Sequence, residues 1–369
     1  MDKLLSNALS AISRLGPVKF LAGGALLLLV ASRAASLPAQ PPSGQAGAAA
    51  QPKAVFRVSV PLVVLDAVVG DPRTKQPVGG LTAADFVVQE DGKPQRITYF
   101  GRDEMPLSIV FMFDLTDTVR PVLRTLCSSA EYILGFLKPQ DEIAVAVFSS
   151  TATIVQAFTT DHKLAAAAIE RASEMRSREG TFLNESVYQV ALETLKSSTP
   201  RHRRAIICLT DGTVNIPSEW MRKFYGRSVP KGQIHTEAEA YRVLFEAGAS
   251  FNAVIERSAL TYLFSPTKFM DPSSLEAWRY PPGHVTKYAA VSGGIVLNSS
   301  KRATVQQLVT LLGDLRSRYT LAYTPSDDAP AGSFCRIHLE LTPEARARFG
   351  NPTVKTRSGY YRYPLPPPQ

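Results

Sequence analysis

Leu107-Ser108-Ile109-Val110-Phe111-Met112-Phe113, running straight into Asp114-Leu115-Thr116-Asp117-Thr118, is the stretch that decides the fold. One hydroxyl among six apolar side chains makes a strand with no wet face. Such strands belong to parallel sheets covered by helices on both sides. A second run of this kind, Ala205 to Leu209, ends in Thr210-Asp211-Gly212, and Gly180-Thr181 lies between the two. Each of these pieces places a carboxylate or hydroxyl in a loop, and two of the loops follow a buried-type strand. Ligands of open α/β sheets sit beyond the carboxyl ends of the strands, where strand order reverses. If their strands are neighbours, Asp114 and Asp211 face one crevice. Oxygen-only donors suit a hard divalent cation: Mg2+ first, with Mn2+ and Ca2+ as alternatives.

Working outward, helical periodicity covers 119–137, 162–173, 183–196, 235–247, 284–291 and 303–317. Strand patterns fall at 143–148, 153–158, 251–255 and 295–298. Together with the two apolar runs, this predicts an α/β domain with a doubly wound, mostly parallel, six-stranded sheet. Residues 257–282 contain several Pro and no periodicity, and read as an inserted loop. The helix over 284–291 stops at Gly293-Gly294.

Both flanks are β-patterned. Residues 55–66 alternate, a short strand surrounds Phe86-Val87-Val88, and Asp91-Gly92-Lys93 turns into a strand over 95–100. After Arg318, strands are expected at 319–323, 334–341, 353–357 and 360–363. Neither flank is large enough for a core of its own. The expected domains are therefore a β-sandwich in two parts, 54–103 and 319–363, with the α/β domain of 104–318 inserted. Residues 364–369 form a Pro-rich tail.

The N-terminus has the build of an export signal. Lys3, Arg14 and Lys19 precede an apolar run from Phe20 to Ala31, too short for a comfortable span. Small residues near Ala34 to Ser36 and near Ala39 offer cleavage sites. Residues 1–36 thus read as a signal peptide and 37–53 as a flexible linker. The expected location is periplasmic, cell-surface or secreted. Uncleaved, the same run would instead tie the chain to a membrane. Of the formal charge of +9, the first 36 residues supply +3, which leaves about +6 spread along the remainder. The densest basic run, Arg201-His202-Arg203-Arg204, reads as a solvated strand end, and no nucleic-acid partner is expected. Three scattered Cys (127, 208 and 335) form no disulfide framework and read as buried free thiols.

The three loop pieces together resemble the metal-ion-dependent adhesion site of the von Willebrand factor type A domain. That family's first motif is Asp-x-Ser-x-Ser; this chain has Asp114-x-Thr116-x-Thr118. Its loop Thr is matched by Thr181 after Gly180, and its Thr-Asp-Gly by Asp211. Both Ser-to-Thr departures keep the hydroxyl and add a methyl group in a tight loop. The flanks, Gly79-Gly80-Leu81 with Asp85-Phe86, Glu90-Asp91-Gly92-Lys93, Arg318 to Pro325, and Arg357-Ser358-Gly359-Tyr360-Tyr361, resemble an exported bacterial group of acidobacterial type, often labelled VWFA-related. The resemblance implies a type A domain, Rossmann-like in build, whose metal ligands are Asp114, Thr116, Thr118, Thr181 and Asp211. It also implies a non-enzymatic binding or adhesion protein whose partner presents an Asp or Glu to the metal. Two other readings stay open: an envelope scaffold whose A domain needs no metal, and a hydrolase. The sequence has no Gly-x-Ser-x-Gly, paired-His motif or phosphate-cradling glycine loop. Glu185 reads as support for its helix, and Asp117 as a solvated loop residue.

Overall fold

The computed structural model describes residues 62–74, 76–102, 105–117, 119–177, 181–197, 202–212, 235–256, 284–326 and 329–362. The expected signal peptide, linker, inserted loop and Pro-rich tail lie outside these residues, as do Thr118 and Gly180.

The central layer is a six-stranded sheet built from β5 (Leu107–Asp114), β6 (Glu142–Phe148), β7 (Ala152–Thr159), β8 (Arg203–Thr210), β9 (Ser250–Glu256) and β10 (Val296–Ser299). Its order is β10-β9-β8-β5-β6-β7, and all neighbours are parallel except β6 and β7. Every residue of β5 is buried. Alternate side chains serve two different cores, which is why the strand is continuously apolar. Ile109, Phe111 and Phe113 pack under α1 (Arg120–Ser128), α2 (Ala130–Leu134), α3 (His162–Glu174) and α7 (Thr304–Arg316). Val110 and Met112 pack under α4 (Leu183–Leu195), α5 (Glu237–Ala247) and α6 (Val285–Ser292) on the other face. The sheet is therefore doubly wound, as its sequence pattern requires.

The helix ends follow local chemistry. Asp161 caps α3 by accepting from the Lys163 and Leu164 amides at 2.9 and 3.3 Å. Thr236 and Glu239 make a reciprocal capping box at the start of α5. The helix expected over 119–137 is broken at Ser129, where the backbone leaves helical geometry. Ser128 bonds back to the Thr125 carbonyl at 2.8 Å, the competition with the backbone ladder that serines bring to helix ends. At the close of α6, Gly293 holds φ +71°. A Cβ on Gly294 would lie 1.8 Å from the Phe251 carbonyl oxygen, so β10 docks on β9 only through a glycine.

The flanking strands are β1 (Val63–Gly70), β2 (Phe86–Glu90), β3 (Lys93–Gln95), β4 (Ile97–Gly101), β11 (Tyr319–Tyr323), β12 (Phe334–Leu341), β13 (Thr353–Lys355) and β14 (Gly359–Tyr361). They form two four-stranded sheets, β13-β1-β11-β4 and β14-β12-β2-β3. Each sheet mixes strands from both ends of the chain. Leu65, Leu321, Val88 and Leu339 meet in one core between them. The strands that lead into and out of the α/β domain, β4 and β11, are hydrogen-bonded neighbours. The α/β domain is thus an insertion carried on a two-strand stem. One α-helix has no counterpart in the sequence reading: α8 (Pro343–Arg348), capped by Thr342, whose hydroxyl accepts from Ala345 N at 3.2 Å. Thr-Pro-Glu is a readable helix start, with Pro at the first turn and an acid just after it.

The basic run at β8 departs from its solvated reading. Arg203 is 2% exposed. Its guanidinium bonds Asp66 Oδ1 of β1 at 3.0 Å, Thr320 Oγ1 of β11 at 3.0 Å and the Leu315 carbonyl of α7. Arg204 bonds Ser197 Oγ and the Ala247 carbonyl. These cations tie layers together instead of facing water. Cys208 and Cys335 are buried free thiols, while Cys127 is only half-buried.

Candidate metal centre

Asp114 is the last residue of β5, and Asp211 follows the last residue of β8. The chain runs from β5 to β6 on one side and onward to β8, β9 and β10 on the other. Strand order therefore reverses between β5 and β8, beside Asp114.

Asp114 is fully buried. Its Oδ1 accepts from the Thr116 amide at 2.9 Å, and its Oδ2 accepts from Thr210 Oγ1 at 2.7 Å. Thr210 Oγ1 in turn accepts from Gly212 N at 3.1 Å. The Thr-Asp-Gly turn is thereby laced to the end of the neighbouring strand. Gly212 has φ +82°, where a side chain would be strained. Asp211 is 9% exposed and close enough to act on Asp114. Burial pushes the Asp114 carboxyl from its usual 3.8 up to about 7, and the charge of Asp211 adds to the rise. The bonds from Thr210 and Thr116, including the Thr116 hydroxyl, work in the other direction.

The loop after Asp114 is tighter than expected. Thr116 and Thr118 follow Asp114 at steps of two, a spacing that would aim all three side chains one way in a nearly extended loop, but Thr116 O accepts from Val119 N at 3.1 Å and from Arg120 N at 3.3 Å. The buried carboxylate takes the Thr116 amide and bends the chain at once, an Asx-type turn. Asp117 is exposed and pairs with Arg120, as a solvated loop residue would. Thr116 is brought to Asp114 as expected. Thr118 lies outside the described residues.

Thr181 is 2% exposed. Backbone bonds bring its segment toward the same end of the sheet: Leu115 N donates to Phe148 O at 3.0 Å, and Phe182 N donates to Ser149 O at 2.8 Å. Glu185 is occupied elsewhere. It accepts from Gln189 Nε2 at 2.5 Å and from the His235 amide at 3.0 Å, so it supports α4 and anchors the approach to α5.

Sequence reasoning missed Glu256, the last residue of β9. It is 3% exposed, and its Oε2 has no hydrogen-bond partner among the described residues. Burial and the charge of Asp211 both raise its carboxyl, against an amide bond and the charge of Lys301. Three adjacent strands, β5, β8 and β9, thus each carry a carboxylate at or just past their last residue. The signal was available: Glu256 follows its apolar run as Asp114 and Asp211 follow theirs. Among the described residues no trio of His, Cys, Asp or Glu closes on one metal position. Glu256 adds a third carboxyl group to this end of the sheet, within electrostatic reach of Asp211.

These groups fit a hard divalent cation. The donors are all oxygen, and a buried carboxylate raised by its neighbour is a pair of charges that a cation would relieve. Another polar cluster lies at the far end of the sheet. Ser108 Oγ donates to Glu142 Oε1 at 2.6 Å and sits 3.1 Å from His202 Nδ1. Ser108 is fully buried and gives its proton to the acid, so its hydroxyl has no open side for attack.

No protein-family model matches the sequence, and no curated protein does. Among solved structures, the chain is similar to BatB from Bacteroides thetaiotaomicron, with 13% identity and a TM-score of 0.37 over 57% of this chain and 98% of that one. It is similar to the vWF domain of the type V pili tip protein Mfa5 from Porphyromonas gingivalis, with 8% identity and a TM-score of 0.38 over 57% and 95%. Proximal thread matrix protein 1 from the mussel byssus, solved with a zinc-occupied MIDAS motif, matches at 14% identity and a TM-score of 0.39 over 62% and 50%. Among the described residues no helix is long and apolar enough to cross a membrane.

Proposed function

We propose that this chain is an exported, non-enzymatic binding module that holds a divalent cation, Mg2+ first, at the β5–β8 end of its sheet. The cation would be held by Asp114, Thr116, Thr118, Thr181 and Asp211, in part through water. Its partner is a protein that offers an Asp or Glu carboxylate to the metal. The observation that carries this reading is the buried Asp114 carboxylate facing Asp211 where strand order reverses.

Asp114 is fixed before any ligand arrives, because Thr116 and Thr210 already hold both of its oxygens. The cation neutralises the two carboxylates and keeps room for a third from outside. Glu256, next to Asp211, adds negative charge to the cation's surroundings, and Lys301 offsets it.

The test is thermal. Metal-free protein titrated with millimolar Mg2+ or Mn2+ should melt at a higher temperature, because a ligand bound only to the native state stabilises it. Asp114→Ala should lose that rise. Curves indifferent to metal and to EDTA would leave the metal-independent scaffold as the better reading. A pull-down from envelope extract with and without EDTA then finds the partner.

A further inference from the structure

At the opposite end of the central sheet, the junction of the two domains gathers cations around too few anions. Arg203, Arg318 and Arg357 all lie near Asp66. Arg203 takes Asp66 Oδ1 directly at 3.0 Å. Arg318 is 1% exposed, and its carboxylate neighbours Asp66 and Asp314 act only at a distance. Its terminal nitrogen donates to Asn252 Oδ1 at 3.1 Å, while its Nε is buried with no partner. Arg357 donates to the Val64 carbonyl at 2.9 Å, and its Nε is likewise buried and unpartnered. Both arginines line one cavity of about 40 Å3, with Asp66, Ser250 and Ser292 also in its wall. A single water needs about 10–15 Å3. Burial pushes Arg318 down to about 10; the charge of Asp66 opposes the push, Arg203 adds to it, and Asp314 opposes it in turn. Buried cations are ordinarily paired. Here two buried guanidiniums line the same cavity, each with one N–H left unpartnered, and Asp66 is engaged by Arg203 and Thr320.

We propose that this cavity is a binding site for a small monovalent anion of chloride size, held between Arg318 and Arg357. The site joins the two domains. Arg318 sits in the link from α7 to β11, Arg357 lies between β13 and β14, and Ser250 opens β9. The ion reaches the cavity past Arg357, which is partly exposed. Neither the carboxylates at the other end of the sheet nor any divalent cation takes part.

The full chain should be melted in sodium chloride and in sodium gluconate at equal ionic strength, with EDTA in both. Gluconate is too large for the cavity. Chloride at about ten times its dissociation constant should raise the melting temperature by roughly 2–4 °C over gluconate. Arg357→Gln should lose that difference. Equal wild-type curves in the two salts overturn the proposal. So does a chloride effect of the same size in Arg357→Gln, which would mark a general salt effect. If that variant does not fold, crystals of the wild-type chain soaked in bromide decide: an anomalous peak between Arg318 and Arg357 supports the site, and its absence overturns it.

Discussion

Asp114→Asn is the most discriminating change at the candidate centre. The amide is nearly isosteric with the carboxylate and carries no charge. Its oxygen can still accept from the Thr116 amide, and its NH2 can donate to Thr210 Oγ1, which has a lone pair to spare. The cost of the wild-type carboxylate follows from its displacement. A carboxyl moved from 3.8 to about 7 at about 1.4 kcal/mol per pKa unit costs the metal-free fold roughly 4 kcal/mol once the pH is above 7. The sign is set by linkage. Between pH 4 and 7 the folded state holds a proton that the unfolded chain has lost, so metal-free stability falls as pH rises through that window and then levels. Asparagine removes this cost. Urea unfolding in EDTA at pH 8 should therefore find Asp114→Asn more stable than wild type, by up to about 4 kcal/mol. At pH 4 the two should nearly coincide. In excess Mg2+ the order should narrow or reverse, because only wild type gains from the metal. If Asp114→Asn is no more stable at pH 8 in EDTA, burial does not penalise the charged carboxylate. If it keeps the full metal response, Asp114 is not a ligand.

Thr116→Ser with Thr118→Ser should keep metal affinity within about tenfold, or roughly 1.4 kcal/mol, by isothermal titration; a much larger gain would show that the threonine methyls crowd the site. Arg203→Ala should cost the full chain about 3–5 kcal/mol in urea unfolding, because Asp66 and Thr320 lose the buried partner that joins the domains; a change below 1 kcal/mol refutes that role. Gly313→Ala, in an open helical position of α7, should stabilise by about 0.5–1 kcal/mol, whereas Gly294→Ala should destabilise severely because its Cβ meets the Phe251 carbonyl. An alkaline-phosphatase fusion at residue 60 should be active outside the cytoplasm, with the mature chain starting between about residues 35 and 41; cytoplasmic retention contradicts the export reading.

The fold was readable because its deciding features are local. Val110 and Phe111 are both buried, so β5 advertises a two-faced burial in seven consecutive residues. Strand β12 shows the opposite pattern, exposed and buried by turns, and so declares a sandwich face. Asp114 and Asp211 were readable for a related reason: a carboxylate directly after an apolar strand has few places to go but the crevice. Glu256 obeys the same rule and was legible too. The bend at Thr116 was not, since parity assumes an extended chain and takes no account of a buried carboxylate capturing the next free amide.

Arg203 shows where such reasoning stops. A cation at the start of a strand is ordinarily solvated, and nothing within ten residues says otherwise. Its partners are Asp66 and Thr320, 137 and 117 residues away, on strands that meet only after the two ends of the chain have paired. The sequence does contain the premise, because the β flanks were too small to stand alone and had to join. Once they join, the stem that carries the inserted sheet must cover its N-terminal end. Any charge at that end then has to be paired within the protein. The two ends of β8 therefore carry opposite charges: Arg203 begins it, buried against Asp66 of the β domain, and Asp211 follows it, beside the buried carboxylate of Asp114. The β domain thus pairs the charge at one end of the sheet within the protein, while the charge at the other end, at Asp114 and Asp211, is the charge the proposed cation would neutralise.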